Sequence, residues 1–193
     1  MTVTGVQTCA LPIFNAAIRT LGYVPNLMAG SLRLSRSNLV MVLVPTIASS
    51  LFGGMLTALT RSLEAKGFQL MVGQSGYEAP REDALLRAII GRRPDGIVLT
   101  GIMHSAEGRR RLLASGMPVV ETWDLTPTPI DMLVGFSHAD IGREVARFLM
   151  DKGRRKLALI RAEDERADRR ASAFIDAVQR AGLAQVAVVN VGA

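Results

Sequence analysis

Missing from this sequence is any apolar run approaching the roughly 18–20 residues that a membrane-crossing helix needs, so the chain is expected to be soluble with no membrane partner. Cysteine is nearly absent. Cys9 stands alone, which excludes an internal disulfide and fits a reducing, cytoplasmic setting. Only two histidines occur, His104 and His138, and neither has a second histidine or a cysteine nearby in sequence, so zinc ligation and a nucleophilic triad find no support. There is no Walker-type phosphate loop and no GxGxxG after a first strand; Gly53-Gly54 is a loose pair near a helix start. The chain therefore reads as no enzyme, with no cofactor and no metal site.

Acidic residues are absent before Ser37, where Arg19, Arg33 and Arg36 are the only charged positions and supply three units of the net +6. A basic leader on a nearly balanced body points toward a polyanion, although an exposed basic end without a partner gives the same charge pattern. Residues 3–13, VTGVQTCALPI, are similar to the in-frame translation of a common sequencing-library adapter. Residues 1–14 are accordingly read as a non-native leader, set aside from fold and function, with the natural start further upstream. They lack the basic n-region and continuous apolar stretch of a secretory signal.

What is present is a regular alternation. Short apolar runs at 38–44, 68–72, 96–99, 118–121, 132–134, 156–160 and 186–191 read as buried strands. Amphipathic segments lie between them. Leu51, Met55, Leu56, Leu59 and Leu63 form one stripe, Pro80 suits a first helical turn with Glu82 and Asp83 beside it, and Ser137 with Asp140 makes a capping pattern. Helix candidates end at Gly67, Gly116, Gly153 and Gly182, each followed by a strand; a helix end often requires a left-handed residue, which glycine adopts without strain. The pattern predicts α/β lobes, each a parallel sheet covered by helices.

A break near Gly135 divides the pattern into a lobe at 38–134 and a partial second lobe at 135–193, whose two strands should leave an apolar edge and an uncovered face. The run of charges from Glu163 to Arg170 alternates in sign and reads as a solvated helix face.

Residues 15–37, NAAIRTLGYVPNLMAGSLRLSRS, resemble the end of the DNA-binding headpiece and the hinge helix of LacI/GalR-type transcription regulators. The resemblance continues in order through Val44-Pro45, Phe52, Arg93-Pro94-Asp95-Gly96-Ile97, Val134-Gly135-Phe136-Ser137 and Arg170-Ala-Ser-Ala-Phe174, with Ala173 where the family has glycine. The run 119–137 is similar to regulators of gluconate utilisation.

The resemblance implies periplasmic-binding-protein-like lobes around a small-molecule crevice, preceded by a headpiece remnant and hinge helix at 15–37. The implied protein is a dimeric, ligand-responsive regulator of sugar or sugar-acid catabolism that binds operator DNA. A stand-alone periplasmic-type sugar-binding protein shares the fold and is the alternative. By family position Arg170, Phe52, Trp123 and Asp124 are the effector-binding candidates. Arg170 would otherwise pair with Asp164 or Asp168, and Phe52 would otherwise be core. Asn26, Leu32 and Arg33 are the DNA-binding candidates: Asn26 caps the hinge helix and Leu32 is a minor-groove wedge. The competing reading of that segment is a linker helix packed on the body.

Overall fold

The computed structural model describes residues 7–22, 36–76, 78–102, 104–183 and 185–191. The chain divides into two compact units, with the division between Ser37 and Asn38. In the first, helix α1 (Gln7–Leu21) runs through the Phe14/Asn15 junction without interruption, although Pro12 inside it withholds one backbone donor. Asn26, Leu32 and Arg33 lie outside the described residues.

The second unit opens with β1 (Leu39–Val44), α2 (Ser50–Glu64), β2 (Gln69–Gln74), α3 (Ala79–Ile90), β3 (Gly96–Thr100), α4 (Ala106–Ser115), β4 (Val119–Thr122) and β5 (Met132–Val134). It continues with α5 (His138–Asp151), β6 (Ala158–Ala162), α6 (Glu165–Arg180) and β7 (Ala187–Val191). The first five strands form one sheet in the order β2-β1-β3-β4-β5 and the last two form another, with every pairing parallel. No helix among the described residues is long and apolar enough to cross a membrane.

The interior strand β1 is LVMVLV, and its β-branched residues suit a pleated surface buried on both sides. Period-two alternation sends Met41 and Leu43 to one face, where Ile97, Leu99 and Val119 meet Leu86 and Ile89 of α3 and Leu112 of α4. Val42, Val44 and Val98 face the other way and pack on Phe52, Met55, Leu56 and Leu59 of α2. A strand register shifted by one residue would exchange these two cores, so the pattern pins the pairing.

The helix ends follow the sequence expectation. Ser137 accepts a hydrogen bond from the Asp140 amide at 3.1 Å, and Gly67, Gly116, Gly153 and Gly182 all have positive φ. In the second layer, α5 and α6 pack across a shared core of Ala146, Phe174, Val178 and Val186. Their close approach depends on Gly142, since a Cβ there would run into the Arg170 carbonyl oxygen. The two-stranded sheet leaves Ile160 73% and Val189 53% exposed, the uncovered apolar face that its strand count implied.

Candidate functional site

A cavity of about 300 Å³ lies where strand carboxyl ends of both sheets converge. From the first sheet come Pro45 after β1, Ser75 and Gly76 after β2, and Thr100 and Gly101 at the end of β3. From the second come Glu163 and Asp164 after β6, followed by Glu165 and Arg166 in the first turn of α6. Open parallel sheets bind ligands in such crevices because chain reversals there leave backbone groups and helix N-termini facing a common space.

Short side chains hold the strand ends in place. Thr100 Oγ1 donates to the Leu43 carbonyl at 2.6 Å, and the buried Ser75 returns its amide to the Val44 carbonyl at 2.9 Å. On the opposite wall Asp164 caps α6, accepting from the Ala167 amide at 2.9 Å.

One side of the cavity is backed by a buried polar cluster. Glu82, near the start of α3, and His104, just before α4, line the cavity and meet Oε1 to Nδ1 at 2.7 Å. Behind them Glu121 of β4 is fully buried, with Oε1 3.5 Å from His104 Nε2, while its Oε2 accepts from the Ile130 amide at 2.6 Å. The neighbours of the first pair are also bonded: Ser105 Oγ donates to Asp83 at 2.7 Å and caps α4 by accepting from Gly108. Two successive carboxylates on α3 thus grip two successive residues at the head of α4.

None of the four effector-binding candidates is on the lining of this cavity. Phe52 is 5% exposed, sits in the α2-side core and meets Trp123 edge to face at 5.2 Å. Trp123 continues to Phe136 at 5.8 Å, and Phe136 to His138 at 5.1 Å. Arg170 Nη1 reaches His138 Nδ1 at 2.8 Å; it bonds neither Asp164 nor Asp168, and Asp168 pairs with Arg161. Asp124 is 2% exposed and receives Arg169 at 3.0 Å. Phe52 and Arg170 are therefore linked by a relay of contacts through Trp123, Phe136 and His138.

Trp123 has φ +68°, a conformation that strains a bulky residue by about 1–3 kcal/mol. It is held by Nε1–H pointing at Met55 Sδ, 3.1 Å away, and by His138 Nε2 at 2.9 Å from its carbonyl. It also borders an open apolar hollow of about 430 Å³ with Met55, Leu59, Val98, Val134 and Phe136.

Sequence reasoning passed over Ser75, Glu82, His104, Glu121 and Arg166. His104 read as isolated because its partners lie 22 and 17 positions away in the chain. Two signals were present nonetheless: an acid inside the apolar strand Val119–Thr122 at an inward position, and the rule that strand carboxyl ends open onto the crevice. The charge run also divides. Its head lines the cavity, while Arg169 reaches Asp124 and Glu165.

A sequence profile described as periplasmic binding proteins and the sugar binding domain of the LacI family matches residues 37–192. Among curated proteins, the HTH-type transcriptional regulator GntR of Pseudomonas aeruginosa is 38% identical over 167 residues, covering 86% of this chain and 49% of that protein. Among solved structures, a LacI family transcriptional regulator from Silicibacter pomeroyi superposes with TM-score 0.84 at 34% identity, over 92% of this chain and 54% of that one. The transcription regulator GntR from Chromobacterium violaceum superposes with TM-score 0.70 at 35% identity, over 76% and 54%. The chain spans about half the length of the curated relatives it matches.

Proposed function

This chain belongs to the family of periplasmic binding proteins and LacI-type sugar-binding domains, and from that premise we propose that it is the effector-sensing body of a ligand-responsive transcription regulator. The effector is a sugar or sugar acid of the gluconate class, and the full-length protein is a cytoplasmic homodimer that represses catabolic genes by binding operator DNA. The observation that carries this reading is the cavity at the carboxyl ends of both sheets, in a chain whose relatives are named HTH-type transcriptional regulators. Those names favour the regulator over a stand-alone sugar-binding protein.

The chemistry of the cavity suits such a ligand. Carboxylates and the Ser75 and Thr100 hydroxyls can bond sugar hydroxyls, while Arg166 and the amino end of α6 favour an anionic group. Arg170 is the second candidate for a ligand carboxylate, because a bond to a neutral imidazole is one that it can exchange for a charge-assisted pair. Ligand that binds one arrangement of the lobes more tightly shifts the population toward it. The relay from Arg170 through His138 and Trp123 to Phe52 and Met55 is a route by which that shift reaches α2. Leu32, Asn26 and Arg33 form the proposed DNA contacts, with Leu32 inserting between base steps.

The test uses the full-length protein, titrated with D-gluconate by calorimetry and assayed by gel shift on DNA from its own upstream region. Saturable gluconate binding that alters operator affinity is the expected result. Gluconate binding with no affinity for that DNA would instead favour the stand-alone binding protein.

A further inference from the structure

The polar cluster behind the cavity is more elaborate than a wall requires. Burying a carboxylate and an imidazole is unfavourable unless each is bonded, yet Glu121 Oε1 and His104 Nε2 are buried 3.5 Å apart with no hydrogen-bond partner among the described residues. Plain packing at these positions would favour apolar side chains. Glu121 is also the only inward polar residue on its stretch of β4: Val119 shares its face and belongs to the apolar core.

The cluster has an ordered direction from interior to cavity. Glu121 is anchored by the Ile130 amide, its free oxygen faces one nitrogen of His104, and the other nitrogen holds Glu82 Oε1. The His104 side chain is 3% exposed and its ring is held at Nδ1 by Glu82, while Ser105 beside it is tied to Asp83. Both Glu82 and His104 line the cavity, but the Glu82 side chain is the more open of the two, 20% exposed, and its Oε2 has no hydrogen-bond partner among the described residues. A carboxylate held by one oxygen and open at the other is a preorganised acceptor, which binds ligand donors without first losing side-chain freedom.

We propose that Glu82 is a specificity-determining residue that accepts hydrogen bonds from the hydroxyls of a polyhydroxylated ligand, and that His104 and Glu121 are positioning residues that hold it. This rests on the assignment of the cavity as the effector site. The carboxylate at this end directs the hydroxyl chain toward Glu82 and leaves Arg166, which stands among Glu163, Asp164 and Glu165 on the opposite wall, as the cation for any ligand carboxylate.

The experiment measures calorimetric affinities of the full-length protein for D-gluconate and for D-glucitol, which carries a similar hydroxyl chain without the carboxylate. Glu82→Gln should weaken binding of D-glucitol at least tenfold, and of D-gluconate by less, because the variant also removes a repulsion. Merely loosened folding would lower both affinities together. Glu82→Asp, which keeps the charge and shortens the reach, serves if Glu82→Gln does not fold, and should weaken both. His104→Leu should match the Glu82→Gln loss, and His104→Gln, which restores a donor toward Glu82, should recover most of it. Wild-type binding that Glu82→Gln lowers less than tenfold, or equally for both compounds, overturns the inference and leaves the effector site standing. A wild-type protein that binds neither compound overturns both.

Discussion

Arg170 and His138 are joined by a hydrogen bond of 2.8 Å in which the guanidinium can only donate, so Nδ1 of His138 must accept. The second nitrogen, Nε2, lies 2.9 Å from the Trp123 carbonyl and must donate. One neutral tautomer satisfies both partners. Burial pushes the His138 pKa below its ordinary value; the nearby Asp124 carboxylate opposes this, and the Arg170 charge adds to it.

An unfolded chain protonates this histidine near pH 6.5, before the folded protein does, so the unfolded state binds more protons between the two pKa values. Stability that is present above 6.5 should be lost as pH falls through the lower, folded pKa. Thermal midpoints across that range should drop more for the wild type than for His138→Gln, which has no proton to gain; parallel curves would contradict the neutral link.

Gly142→Ala should destabilise the chain by about 1–3 kcal/mol, the usual range for overpacking, because the obstacle is the Arg170 backbone and no side chain can move aside. Urea unfolding read by far-UV circular dichroism measures it, and a loss under 0.5 kcal/mol would mean that α5 and α6 separate freely.

Phe52→Ala removes a ring that is 5% exposed and should lower stability by about 3–5 kcal/mol. Trp123 is the single tryptophan, so its emission reports this site directly. A red shift is expected as the indole loses its edge-to-face neighbour; unchanged emission would contradict that contact.

In the full-length protein, Arg170→Ala should leave operator binding intact and remove its response to gluconate. A gel-shift titration in which gluconate acts equally on both proteins would remove Arg170 from the sensing path.

Leu32→Ala should do the reverse, weakening operator binding while gluconate affinity measured by calorimetry stays within twofold. Equal operator affinity would eliminate the wedge.

Much of this architecture is legible in the linear order of residues. The alternation of Met41 and Leu43 with Val42 and Val44, the Ser137 cap and the four helix-ending glycines depend on near neighbours and on backbone geometry, which local sequence controls. Arg170 and Phe52 stood out as candidates by family resemblance, yet nothing local to either predicts that His138 and Trp123 connect them.

The parallel α/β plan was determined by the sequence alone, with its strands placed to within two residues, because strand and helix periods are short-range properties. Which polar groups face one another was decided only by the tertiary structure. Glu82, His104 and Glu121 stand on different elements, and only the sheet's strand order and the packing of α3 and α4 bring their charges within bonding distance. Contacts between residues far apart in the chain carry no local signature, and the burial that makes such groups consequential exists only after folding.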